Sequence, residues 1–138
     1  MKAGARELLD QLDELGLPRA IATSSSHATV QGHLSAHGLA HRFHAVVALG
    51  DYANSKPAPD PFLEAAERLG VQAQDCLALE DSHNGIRAAS AAGMMTVMVP
   101  DLIEPTVELR GLCVVVSSLH EVRALILSSR RGFVTASS

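Results

Sequence analysis

Residues 76–99 read CLALEDSHNGIRAASAAGMMTVMV, and this stretch decides the fold class. It begins with a short apolar run, residues 76–79, and closes with another, residues 95–99. Between them, the alanine-rich residues 84–92 have helical spacing, and Gly93 follows as a C-terminal stop. Apolar runs that alternate with helices, rather than with single polar residues, are typical of strands covered on both faces. The stretch therefore predicts a strand–helix–strand unit of a parallel sheet.

The same alternation extends along the rest of the chain. Before this unit we predict a helix over 4–16, a strand over 19–23, a helix containing Val30 and Leu34, a strand over 45–49 and a helix from Asp60 to the stop at Gly70. After it we predict a strand over 112–116 and a helix bearing Val122, Leu125 and Ile126. Residues 129–138 carry no periodic apolar stripe, so we expect a disordered tail there. The predicted fold class is α/β, a doubly wound, mainly parallel sheet in one domain over residues 1–128.

The composition of the chain argues against two classes of partner, nucleic acids and membranes. A chain of 138 residues with 47% hydrophobic content can bury one sizeable core. The net charge of −4 leaves no broad cationic face for a nucleic-acid backbone, so we expect no nucleic-acid partner. No apolar run approaches the roughly 20 residues that span a bilayer, and the N-terminal residues do not resemble a signal peptide. We therefore expect a cytoplasmic protein without membrane contact, in which Cys76 and Cys113 are buried thiols rather than a disulfide.

Three strand ends carry polar side chains, and ligands of parallel α/β sheets collect at the carboxyl ends of strands. The first of these ends is the hydroxyl cluster Thr23, Ser24, Ser25 and Ser26. Hydroxyls and backbone N–H groups at a helix start can hold an anion such as phosphate. The same residue types are also ordinary helix caps, so capping stays open as an alternative.

The other two ends carry a cation and a pair of acids. Lys56, one of only two lysines, lies in the turn-rich loop 50–59, where prolines stiffen the chain; a solvated loop lysine is the alternative. Glu80 and Asp81 follow a buried strand directly, and carboxylate oxygens suit Mg²⁺ bound together with phosphate and water. The alternative is that Asp81 or Ser82 only caps the next helix.

At these residues the chain resembles the haloacid-dehalogenase-like hydrolases, in the branch that contains phosphoglycolate phosphatase and β-phosphoglucomutase. The similarity runs from about residue 4 to residue 100. AIATSSS (20–26) matches the second motif of the family, SKPAPDPF (55–62) the third and LALEDSHNGIRAASAAGM (77–94) the fourth. The resemblance implies a Rossmann-like core and a Mg²⁺-dependent phosphatase or phosphomutase that acts on a phosphorylated small molecule.

Carried over residue by residue, the resemblance assigns the site. It makes Thr23 a hydrogen-bond donor to phosphate and Lys56 the cation that stabilises phosphate and nucleophile. Asp81 becomes a direct Mg²⁺ ligand, with Glu80 supporting or sharing the metal. Secondary contacts would come from Ser24, Ser25, Ser82 and Asn84.

The first motif of the family, an Asp-x-Asp that supplies the nucleophile and the general acid, is absent, as is the helical cap that follows it. The chain has seven aspartates, and no two are separated by a single residue. In the family, the strand that bears this motif lies between those that correspond here to the strands ending at Thr23 and Glu80, so we expect a gap in the centre of the sheet. We further expect a truncated product, a mis-set start or a fragment, inactive alone, which associates with itself or with a complementing chain. The alternative is a non-catalytic module that binds phosphate or Mg²⁺, or serves as an interaction surface.

Overall fold

The computed structural model describes residues 5–80, 82–98, 114–115 and 132–137. Its helices are α1 (Ala5–Leu15), α2 (His27–Ala36), α3 (Asp60–Leu69) and α4 (His83–Ala91), with a 3₁₀ turn at Ala73–Asp75. Its strands are β1 (Arg19–Thr23), β2 (Ala45–Val47), β3 (Cys76–Glu80), β4 (Met95–Met98), β5 (Val114–Val115) and β6 (Gly132–Ser137). None of the helices in the described part of the chain is both long and apolar enough to cross a membrane.

The six strands form one parallel sheet in the order β2-β1-β6-β3-β4-β5. Side chains alternate between its two faces, as the pleat requires. Ile21, Leu77 and Phe133 pack on one face with leucines of α1 and α2. On the other face the strands present small residues such as Ala78 to α3 and α4, whose largest buried side chain is Phe62. The prediction of a doubly wound parallel α/β domain is confirmed.

The central position of the sheet is occupied by the C-terminal strand. β6 is parallel to both neighbours; its Ser137 pairs with Thr23 of β1 and its Thr135 with Leu79 of β3. The expected gap between the strands that end at Thr23 and Glu80 is therefore wrong for this chain, because its own last residues fill it.

The prediction of a disordered tail over 129–138 is likewise wrong for residues 132–137. The side chains of Phe133 and Val134 are 2% and 0% exposed. A six-residue strand that is covered on both faces needs only a short apolar centre, whereas a helix needs the periodic apolar stripe that these residues lack. The pattern GFVTAS contains the aromatic and β-branched residues that favour strands.

Most element boundaries agree with the sequence predictions to within one or two residues. Gly70 ends α3 in the left-handed conformation, with φ of 70°, as its position after the apolar stripe indicates. The predicted helix that bears Val122, Leu125 and Ile126 lies outside the described residues. So does Cys113, whereas Cys76 is a buried thiol.

Candidate functional site

The carboxyl ends of three parallel strands meet at one edge of the sheet. Thr23 ends β1, Ser137 ends β6 and Glu80 ends β3. Neighbouring strands lie about 4.8 Å apart, so the ends of β1 and β3 are separated by roughly 10 Å across β6. The hydroxyl cluster and the acid at Glu80 therefore share one edge, as predicted.

Thr23 is fully buried at the end of β1. Its Oγ1 accepts a hydrogen bond from the backbone N of Ser25 at 3.1 Å, which turns the chain sharply after the strand. Ser26 is the N-cap of α2, since its Oγ accepts from the N of Thr29 at 3.2 Å. Capping thus accounts for Ser26, while Thr23 has a different, buried position and Ser24 is exposed.

Lys56 and Glu80 form a buried ion pair. The Nζ of Lys56 lies 3.1 Å from Oε2 of Glu80, and the two side chains are 6% and 0% exposed. The ammonium also lies 5.5 Å from the centre of the Phe62 ring at the start of α3, within the range of a cation–π contact. The alternative of a solvated loop lysine is therefore wrong, because the ammonium is held at the carboxyl edge by Glu80, the last residue of β3.

The second oxygen of Glu80 is bound by the start of α4. Oε1 accepts from both the backbone N and the Oγ of Ser82, each at 3.2 Å. The same Ser82 hydroxyl caps α4 by accepting from the N of Gly85 at 3.0 Å. Ser82 is thus both the cap and a neighbour of the buried carboxylate, so capping and a site position are not exclusive here.

Gly85 makes room for that carboxylate. A Cβ on residue 85 would overlap Oε2 and Cδ of Glu80. The sequence predictions gave Gly85 no role, although a glycine within a predicted alanine-rich helix is a recognisable signal of a close approach.

The loop that carries Lys56 is attached to both sides of the edge. The hydroxyl of Tyr52 donates to the carbonyl of Thr23 at 3.0 Å. At the loop start, Asp51 accepts from the N of Ala48 at 2.9 Å and lies 2.6 Å from Nε2 of His27. These contacts hold the pKa of Asp51 below its ordinary value, the backbone hydrogen bond from Ala48 being the largest cause. These hydrogen bonds therefore fix the start of the loop relative to Thr23.

The structure brings Thr23, Lys56, Glu80 and Ser82 to one edge, together with the half-buried Ser25. Asn84, in the first turn of α4, is exposed, like Ser24. Asp81 lies outside the described residues. Sequence reasoning missed three supporting residues, Tyr52, Phe62 and Gly85, because their roles depend on contacts across the fold.

A metal site cannot be completed from the described residues alone. Among them, no group of three or more His, Cys, Asp or Glu side chains could hold a metal ion. Glu80 has oxygen donors of the kind that Mg²⁺ prefers, but both are already engaged by Lys56 and Ser82. One carboxylate paired with an ammonium does not fit a dedicated Mg²⁺ cage.

The fold is that of a Rossmann-like α/β protein, and the candidate site lies where the central strands end. The sequence model of the haloacid dehalogenase-like hydrolases matches residues 1–93. The chain therefore belongs to the haloacid dehalogenase-like hydrolases.

Named relatives agree with this assignment. The plasmid form of protein CbbY from Cupriavidus necator is 43% identical over 124 residues, which cover 88% of this chain and 49% of the relative. Fructose-1-phosphate phosphatase YqaB from Escherichia coli is 48% identical over 82 residues, or 59% of this chain and 44% of the relative. The crystal structure of CbbY from Rhodobacter sphaeroides in complex with phosphate superposes with a TM-score of 0.80 at 30% identity, covering 88% of this chain and 55% of that one. The chain spans about half the length of these relatives.

Proposed function

We propose that this chain supplies the phosphate-binding part of a phosphatase or phosphomutase site for a phosphorylated small molecule, and that residues 1–138 alone do not turn substrate over. The observation that carries the proposal is the Lys56–Glu80 ion pair. It holds the ammonium of Lys56, whose side chain is 6% exposed, at the edge of the sheet where ligands bind in this fold class. Names of the relatives support the substrate class: fructose-1-phosphate phosphatase and phosphoglycolate phosphatase from Escherichia coli both act on small phosphate esters.

Each residue has a definite part in this proposal. Lys56 neutralises phosphate charge, and Glu80 fixes the direction of its ammonium. Thr23 donates its hydroxyl hydrogen to a phosphate oxygen, since a hydroxyl that accepts from Ser25 can also donate. Ser24, Ser25, Ser82 and Asn84 are assigned as secondary phosphate contacts.

We assign the magnesium-binding role to Asp81, with Glu80 in support. The acid at position 81 follows Glu80 directly in the sequence, and Glu80 is the residue that pairs with Lys56. Bound Mg²⁺ would supply further neutralisation of phosphate charge. The test is calorimetric titration of Mg²⁺, in which Asp81→Asn removes binding; unchanged affinity in that variant would place the metal elsewhere.

The sequence of the central strand supports the proposed lack of turnover. β6, which lies between the ends of β1 and β3, reads GFVTAS and contains no carboxylate side chain. A covalent route through an aspartyl phosphate needs a nucleophilic aspartate. Glu80 is paired with Lys56, and Asp81 is assigned to the metal, so neither is given this role. We therefore assign the nucleophile to a segment outside residues 1–138, or to another chain.

Phosphate binding is tested by titrating inorganic phosphate in the presence of Mg²⁺. Lys56→Met should weaken binding by at least about tenfold, equivalent to roughly 1.4 kcal/mol. Lys2→Met, which makes the same charge change at the other lysine, is the matched control and should leave affinity unchanged. Equal affinities for Lys56→Met and wild type would refute the role assigned to Lys56. Rapid Mg²⁺-dependent hydrolysis of p-nitrophenyl phosphate by residues 1–138 would refute the claim that these residues lack the nucleophile.

The same strand favours a second candidate, a non-catalytic phosphate-binding module. Because β6 completes the sheet from within the chain, the fold does not need a second polypeptide for this position. Mixing the chain with the part of the Cupriavidus necator relative that it does not match separates the two candidates. Hydrolysis that depends on Lys56 supports the enzyme part, and phosphate binding without hydrolysis in the mixture supports the module.

A further inference from the structure

A cavity of about 310 Å³ lies at the opposite edge of the sheet from Lys56. It is bounded by the end of α1, the start of β1 and the loop before β2, and its lining includes Asp13, Leu17, Arg19, His41, Phe43 and His44. Arg19 begins the five-residue strand that Thr23 ends. The two residues are therefore roughly 13 Å apart, and the cavity is separate from the candidate phosphate site.

Arg19 gives this cavity a buried cation. Its side chain is 5% exposed, and its Nη1 donates to Asp13 Oδ1 at 2.6 Å and to the carbonyl of Arg42 at 3.2 Å. Nε is buried and, among the residues that the structure describes, has no hydrogen-bond partner. Nε and Nη2 form the side-on edge of a guanidinium, which binds a carboxylate through two parallel hydrogen bonds. Arg19 lines the cavity, and the buried Nε of this edge lacks an acceptor among the described residues.

The remaining walls favour an anion that also has an apolar part. The Nδ1 of His44 accepts from the backbone N of Arg19 at 3.2 Å, so the ring proton of the neutral imidazole is on Nε2, which is then a donor. Leu17 and Phe43 are partly buried and pack against the core. The cavity thus combines donors with an apolar wall.

The acid beside Arg19 is compensated by a second arginine. Asp13 lies 3.0 Å from Nη2 of Arg42 as well as 2.6 Å from Arg19. Arg42 also lies 2.9 Å from Asp10, so the two arginines balance two aspartates and a small monoanion meets no net negative charge. A phosphate dianion suits the cavity less well, because it needs more donors than one guanidinium edge and has no apolar surface to place against Phe43.

We propose that this cavity binds a small organic carboxylate. Its two oxygens accept from Nε and Nη2 of Arg19, and its apolar body packs against Leu17 and Phe43. The site is independent of phosphate binding and of any hydrolytic activity.

Benzoate titrated into the ¹⁵N-labelled chain tests the proposal through the arginine Nε–Hε resonances. The Arg19 signal, assigned with Arg19→Lys, should shift saturably. Arg68 is the internal control, because its Nε already donates to Glu64 at 3.0 Å, and its signal should not move. A linear or absent shift at Arg19, or a larger shift with inorganic phosphate, would overturn the proposal.

Two cavity variants test benzoate binding separately, so that a folding defect in one of them does not leave the proposal undecided. Leu17→Trp fills the cavity without changing charge and should weaken benzoate binding by at least about tenfold. Phe43→Ala should reduce the preference for benzoate over acetate, which lacks the apolar body. Lys2→Met, the charge control used for phosphate binding, should bind benzoate like wild type. If circular dichroism shows that Leu17→Trp is unfolded, the Phe43→Ala result decides, and an unchanged preference there counts against the site.

Discussion

Substitution of Gly85 by alanine tests the geometry of the buried acid. The new Cβ would overlap the carboxylate of Glu80, which must then leave its contacts with Lys56 and Ser82. Breaking a buried ion pair costs about 3–5 kcal/mol. Alanine is up to about 1 kcal/mol more favourable than glycine in a helix, so the free energy of unfolding should fall by about 2–4 kcal/mol. That is a large share of the roughly 5–15 kcal/mol that stabilises a typical domain.

Urea unfolding followed by circular dichroism measures this loss, and Gly32→Ala in α2 is the matched control. Nothing lies within 4 Å of a Cβ at position 32, so that variant should gain about 0.5–1 kcal/mol. In the Glu80→Ala background the carboxylate is gone, and Gly85→Ala should cost nothing further. A Gly85→Ala protein as stable as wild type, or an equal loss in both backgrounds, would refute the close approach.

Three further outcomes follow from the described contacts. Deletion of residues 132–138 removes the central strand and should abolish cooperative urea unfolding, whereas a sharp transition would show that β6 is dispensable. The pKa of Asp51 is lower in the folded than in the unfolded chain, so its contribution to stability is present above the ordinary carboxyl pKa of 3.8 and is lost as pH falls through the lower folded pKa. Asp51→Asn should therefore destabilise the protein at pH 6 and have a smaller effect at pH 2.5, and equal effects at the two pH values would contradict this. Burial raises the pKa of Cys76 to about 11, so in a Cys113→Ser background the native thiol should resist a disulfide reagent at pH 8 until urea unfolds the chain.

Most helices and strands could be predicted because short sequence patterns specify them. The apolar runs at 19–23 and 76–79 are short and continuous, which distinguishes covered strands from helices. Stop glycines such as Gly70 and Gly93 follow the helical stripes directly, and both have positive φ in the structure. Each of these signals is complete within a dozen residues, so no long-range contact is needed to interpret it.

The sequence predicted which residues lie together at the candidate site, but not which of their side chains pair. Strand ends of a parallel sheet share an edge, so Thr23 and Glu80 could be assigned to one site from the sequence. The pairing of Lys56 with Glu80 joins residues 24 positions apart, and it depends on how loop 50–59 crosses the edge. The space for the carboxylate depends in turn on Gly85, whose missing Cβ matters only once Glu80 is in place.

The place of β6 was beyond local reasoning, yet its register has a clear physical cause. Phe133 lies on the face that carries Ile21 and Leu77, where α1 and α2 leave room for a ring. Val134 lies on the opposite face, among alanines such as Ala78 and against α3 and α4. A slip of one residue would exchange these faces and push the aromatic ring into the layer built around small side chains. The register that core packing selects is also the one that sets Ser137 beside Thr23, so the strand that completes the core brings a hydroxyl residue, and no acid, to the centre of the candidate site.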